Sequence, residues 1–302
     1  MDWRWIWCND RGLRSGWRIS IYALLFWLLL FVFAPLAGVE LGEGAVAMVW
    51  QWLPVLAAAV TAGWFLLVAL ERRPIGALGF AWHRAVPREF GVGLAIGVSS
   101  LGAILALFVL AGWVTYRPEA GAPGSYLAAL AESFVFFLVA AAAEEALFRG
   151  YPFQVLVQGI GPVPATVLSS LLFAVAHIAN PNVDLFALLN IFLAGIMLAA
   201  AYLRTRSLWF ATAVHLGWNW SMATLFDLPV SGWTMLDTPY YEPAVTGPAW
   251  VTGGEFGPEG GLGGSVALIL AALAVVYLPG LRAAPEVRAL RPLVDDRPGS
   301  GR

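Results

Sequence analysis

The hydrophobic pattern of this chain is one of long apolar runs separated by short polar segments. About 20 apolar residues are needed to cross a bilayer, and eight runs approach or exceed that length: 19–39, 45–70, 91–114, 125–157, 163–179, 184–203, 208–226 and 265–281. The expected fold is therefore all-α, a polytopic membrane helix bundle with about eight transmembrane spans. The first run follows Arg14 and Arg18 and ends near Ala34-Pro35-Leu36-Ala37, which superficially resembles a secretory signal. It is too long, and proline stands where a small residue is required, so it reads as an uncleaved first span.

Composition agrees: 60% of the 302 residues are hydrophobic and 12% charged, against about 45–50% and 25% in soluble domains. Cys8 is the only cysteine, so no disulfide frames the fold. All 17 basic residues are arginine, with 19 acids and a net charge of −2. No basic tract exists, so nucleic acid is not an expected partner. The all-arginine usage suggests a GC-rich, bacterial genome. Arginines gather before the first span (Arg4, Arg11, Arg14, Arg18), between spans two and three (Arg72, Arg73, Arg84, Arg88), between six and seven (Arg204, Arg206) and after the eighth (Arg282 to Arg302). The opposite loops carry Arg117 and the acids Glu40, Glu43, Glu119, Asp184, Asp227, Asp237, Glu242, Glu255 and Glu259. By the positive-inside rule the arginine side is cytoplasmic, and an even span number leaves both termini there, in a bacterial inner membrane. Trp3, Trp5, Trp7 and Trp17 read as an interfacial anchor, and His83, in an arginine-rich loop, as a solvated residue. Four regions are expected: spans one to three (1–124), a helical core (125–226), an irregular external Gly/Pro-rich loop (227–264), and the last span with a polar tail (265–302).

Ionisable groups inside a bilayer are costly and usually functional. Those interrupting the spans are Glu132, Glu144, Glu145, Arg149, His177 and His215, joined by the polar Asn219. Glu145 and Arg149 are four apart, in the favourable acid-before-base order, and should pair. Glu144 projects about 100° away, leaving its carboxylate for another task. Helix four is expected to continue to Val157 and turn at Gly159-Ile160-Gly161-Pro162. Glu144 and His177 are equidistant in sequence from the midpoint of that turn, so an antiparallel hairpin sets them at one depth. Phe173 lies one turn below His177, and His215 and Asn219, also four apart, share a face. Glu132 sits near the outer end of span four and faces loop water.

Together these groups suffice for amide hydrolysis. Glu144 can take a proton from water, an imidazole can orient that water, and His215 with Asn219 can stabilise an oxyanion. Alternatively, Glu144, His177 and His215 could hold Zn²⁺, the other glutamate serving as base. The metal-free scheme is favoured because Asn219 is a poor zinc ligand and a natural oxyanion donor. Serine, cysteine and aspartyl mechanisms lack their residues here. A different class of reading makes the cluster a proton or ion pathway, or a lock between helices. A pathway should continue to both faces, and the outer halves offer little beyond Asn190.

These residues also form known motifs. Glu144-Glu145-Ala-Leu-Phe-Arg149, Phe173-Ala-Val-Ala-His177 and His215-Leu-Gly-Trp-Asn219 resemble, in order and spacing, the three motifs of the CPBP family of intramembrane proteases, which includes type II CAAX prenyl endopeptidases and bacteriocin-processing relatives. The resemblance covers about 125–226. It implies a membrane protease in which Glu144 is the catalytic glutamate, Glu145 and Arg149 its supporting pair and His177 a second water-activating residue. His215 and Asn219 would form the oxyanion-stabilising or metal-binding end. The substrate would be a membrane-tethered peptide, prenylated or CAAX-like. His215 lies seven residues beyond Leu208, roughly 10 Å along a helix, so a site opening to the cytoplasm is expected.

Overall fold

The apolar runs of the computed structural model fold as helices: α1 (Ser15–Phe33), α2 (Gly44–Glu71), α3 (Val86–Leu110), α4 (Pro123–Arg149), α5 (Tyr151–Ile160), α6 (Pro162–Ala176), α7 (Leu185–Thr205), α8 (Leu208–Trp220), α9 (Ala249–Thr252), α10 (Leu262–Tyr277) and α11 (Pro285–Ala289). The structure describes residues 7–9, 12–38, 44–236 and 238–290. Trp3, Trp5, Arg4, Arg11, Glu40, Glu43, Asp237 and the tail from Arg291 lie outside them. Five segments are long and apolar enough to cross a membrane: α1, α2, α3, α4 with α5, and α7. The chain is thus an all-α integral membrane bundle. The other three expected spans correspond to shorter helices: α6 has 15 residues, α8 has 13 and α10 has 16. Fifteen residues reach only about 22 Å of a roughly 30 Å hydrocarbon core.

Helix four does not run unbroken to Val157. Pro152 has no N–H to donate and its ring crowds the carbonyl four residues back, so the helix breaks at Gly150 (φ −72°, ψ −133°) and restarts as α5. The expected turn follows at Gly161, whose φ of 88° suits glycine.

Helix α8, which carries His215 and Asn219, is buried from Leu208 to Trp218 apart from Trp209. Gly93 and Gly97 on α3 admit it closely. A Cβ on Gly97 would stand 2.4 Å from the Val214 carbonyl, and one on Gly217 of α8 2.4 Å from that of Leu94. In lipid, where apolar surface gains nothing from leaving the solvent, such small-residue contacts drive helix association. After α8 the chain forms a π turn, Ser221–Leu225.

The acid-rich end has more order than its Gly/Pro content suggests. Strands β3 (Val114–Pro118) and β4 (Tyr241–Val245) pair antiparallel, with Tyr116 opposite Pro243. At the opposite, arginine-rich end a smaller ladder joins β1 (Cys8–Asn9) to β2 (Gly12–Leu13) near the stacked rings of Trp7 and Trp17. Tyr241 donates to the Leu225 carbonyl at 2.5 Å and Tyr116 to that of Phe226 at 3.1 Å, pinning the end of the π turn. Burial, then Asp227 and Tyr126, push the Tyr116 hydroxyl up to about 12, so it stays a donor at ordinary pH. The 227–264 segment is therefore no irregular loop: β4, α9 and 3₁₀ turns shape it, paired with β3 from the other side of α4.

At the arginine-rich end Arg18 joins Glu71, Gln158 and Tyr151, tying α1 to α2 and α5. His83 is not solvated as expected. It is 5% exposed and stands 3.6 Å from Glu89, because the Gly79 turn folds its loop against the start of α8, where Leu208 N–H meets the Gly79 carbonyl.

Candidate active site

The last two turns of α4 supply Glu144, Glu145 and Arg149. Glu145 and Arg149 are fully buried, with Arg149 Nη1 3.1 Å from Glu145 Oε1 and Nη2 donating to the Gly195 carbonyl of α7 at 3.2 Å. The guanidinium lies 4.4 Å over the Phe173 ring. A buried carboxylate is tolerable only when paired and hydrogen-bonded. This one has a second partner that sequence spacing could not supply: His215 Nδ1 stands 3.0 Å from the same Oε1.

That contact sets the chemistry of the imidazole. With Nδ1–H donated to Glu145, a neutral His215 presents the Nε2 lone pair on its other side. Nε2 faces Glu144 Oε2 at 3.9 Å, too long for a direct hydrogen bond and suited to one bridging water. Glu144 Oε2 is buried with no hydrogen-bond partner. The charged neighbour of this oxygen is thus His215.

His177 is the residue that ends α6. Its Nδ1 lies 2.7 Å from the Phe173 carbonyl, so Nε2 is the free ring nitrogen, and its ring packs 4.7 Å from that of Phe173. Phe173 also meets His215 edge-on, so one phenyl ring buttresses both imidazoles and the guanidinium. Glu144, His177, His215 and Asn219 line one cavity of about 290 Å³. The six residues singled out from the sequence come together, four on the cavity wall and the Glu145–Arg149 pair beneath it. Glu132 is exposed and apart from them. Glu144, Glu145 and Arg149 lie in a candidate span, whereas His177 ends the shorter α6 and His215 and Asn219 belong to the shorter α8.

The cavity does not open where the depth count along α8 suggested. None of the arginine-bearing segments 71–85, 204–207 and 278–290 contributes to its lining, and the buried Glu145–Arg149–Gly195 contact closes that end. The exposed members of its wall, Ala176 and Trp233, mark a mouth beside His177, at the acid-rich end. Counting residues gives a depth, whereas packing decides which end is sealed. The roof comes from the 227–264 segment, through Val230, Ser231, Trp233, Met235 and Glu259. Glu259 was assigned to the outer loop; it is buried, and only its Gly-Pro-Glu-Gly-Gly setting hinted at a fixed position.

Glu144, His177 and His215 are the candidate set for a metal ion. Among the described residues no group of three or more His, Cys, Asp or Glu side chains is placed to hold one.

Residues 126–221, from the first turn of α4 to the π turn after α8, match the family model described as type II CAAX prenyl endopeptidase, Rce1-like. The matched segment holds all six site residues. That match, over about a third of the chain, supports assigning this segment to the CPBP/CAAX family of intramembrane proteases. The likeness is to CAAX-type membrane endopeptidases in general. No curated protein and no solved structure matches the chain.

Proposed function

We propose that the protein hydrolyses a peptide bond of a membrane-tethered substrate with a water molecule activated by Glu144 and His215. The observation that carries this reading is the unpartnered, buried Glu144 Oε2 facing His215 Nε2 across a one-water gap. Glu144 takes the water's proton as the oxygen bonds to the carbonyl carbon. The C–N bond then breaks, and Glu144 returns the proton to the leaving amine. Glu145, itself held by Arg149, fixes the His215 tautomer through Nδ1. Asn219, whose side chain makes no hydrogen bond among the described residues, donates to the oxyanion. His177 Nε2, the free nitrogen at the mouth, is the second group contacting water or the leaving amine.

The cavity wall is largely aromatic and apolar, with Trp52, Phe148, Phe173 and Trp233 among its residues. That favours a substrate carrying a lipid or apolar segment, which delivers the scissile bond from the bilayer. With the arginine-rich end cytoplasmic, in a bacterial inner membrane, the mouth lies in the outer half. A purified, reconstituted protein should cleave lipid-anchored peptides and fail on the same peptides without the anchor. Equal cleavage of both would overturn the tethering.

A further inference from the structure

Glu259 lies in the 3₁₀ turn Pro258–Gly260, ahead of α10 and outside the segment that matches the family. Its carboxylate is buried, 7% exposed, and no cation pairs with it among the described residues. Instead it accepts three hydrogen bonds. Trp218 Nε1 donates to Oε1 at 2.9 Å, and the backbone N–H and hydroxyl of Ser231 donate to Oε2 at 2.8 and 2.7 Å. The turn itself is fastened to α7, since Asn190 Nδ2 donates to the carbonyls of Glu259 and Gly261 at 2.7 and 3.0 Å.

Both partners of this carboxylate lead to site residues. Trp218 is adjacent to Asn219 and one turn beyond His215. The Ser231 carbonyl accepts from Asn180 Nδ2 at 3.0 Å, and Asn180 N–H bonds the His177 carbonyl at 3.0 Å. A continuous hydrogen-bonded path thus runs from His177 through Asn180, Ser231 and Glu259 to Trp218 beside Asn219, joining the end of α6 to α8 across the roof. Ser231 has φ 50°, a left-handed conformation uncommon for serine, which persists where its surroundings over-determine it. Two bonds to one carboxylate do so here.

We infer that Glu259 is a positioning residue: it latches the roof over the cavity and sets the spacing of His177, at the end of α6, from Asn219 on α8. The inference rests on the proteolytic reading of those two residues. It assigns Glu259 a demand that glutamine cannot meet, because all three neighbours donate and a glutamine amide would set its own N–H against one of them.

The test compares Glu259→Gln and Ser231→Ala with the wild type on a lipid-anchored peptide that the wild type cleaves, alongside thermal midpoints. Glu259→Gln should lower kcat about tenfold or more with KM little changed, as expected when reacting groups are misplaced by a fraction of an ångström to an ångström. Ser231→Ala, which keeps two of the three bonds, should lower kcat less. A second readout needs no activity. In a Cys8→Ser protein carrying Ile191→Cys under the roof, Glu259→Gln should speed labelling by a small water-soluble maleimide several-fold. Wild-type kcat in Glu259→Gln, a loss only in proportion to the unfolded fraction, or an unchanged labelling rate would each overturn the latch. A wild type that cleaves no peptide would overturn the proteolytic reading instead, and the labelling rate would still decide the latch.

Discussion

Glu145 Oε1 accepts both Arg149 and His215, so this one oxygen sets the orientation of the imidazole beside the catalytic water. Glu145→Gln leaves a fully buried guanidinium without its counter-ion. Removing one partner of a buried pair costs about 3–5 kcal/mol, so the variant should melt well below the wild type in detergent and lose activity. An unchanged midpoint would mean that the pair is solvated. Glu144→Gln behaves oppositely. Oε2 has no partner to lose, so stability should hold within about 0.5 kcal/mol, as for changes that break no contact, while cleavage disappears. His177→Ala should likewise abolish cleavage without hindering membrane insertion or normal elution. Full activity in either variant would remove that residue from the mechanism.

At the scale of elements, catalysis depends on how closely α8 approaches its neighbours. Gly97 of α3 lies under Val214 and Gly217, with no space for a Cβ. Gly97→Ala must push α8 outward, at about 1–3 kcal/mol for overpacking, and move His215 from Glu145. The expected outcome is a lower thermal midpoint together with a kcat loss larger than stability explains. Gly91→Ala, on the same helix where nothing lies within 4 Å, is the control and should behave as wild type. A Gly97→Ala enzyme with unaltered kcat would show that α8 is held elsewhere, through Tyr116, Tyr241 or Glu259.

For the whole molecule, the sealed arginine-rich end and the mouth beside His177 predict sidedness. In a Cys8→Ser background, single cysteines at Ala176 and Trp233 should react with an impermeant thiol reagent from the acid-rich side of oriented vesicles. Labelling only from the arginine-rich side would place the mouth in the cytoplasm and reverse the substrate's side. The roof joins residues far apart in the chain. Ser231 and Glu259 are separated by 28 positions, Trp218 and Glu259 by 41, and the strands Val114–Pro118 and Tyr241–Val245 by the whole catalytic core.

The sequence by itself determined that the chain is a bundle of apolar helices, because a bilayer requires long apolar runs and allows few interruptions. Those few polar interruptions also pointed to the site: Glu145 with Arg149, and His215 with Asn219, through i, i+4 spacing. Such readings rest on local geometry, where spacing along one helix is enough. Spacing could not show that His215 meets Glu145, that His83 is buried, or that α6, α8 and α10 fall short of crossing length. Nor could it show that Glu259 leaves the outer loop to roof the cavity, or which end of the bundle is sealed. Each of these depends on contacts between segments distant in sequence. Their free energies come from close packing and paired polar groups, to which hydropathy and residue spacing are blind.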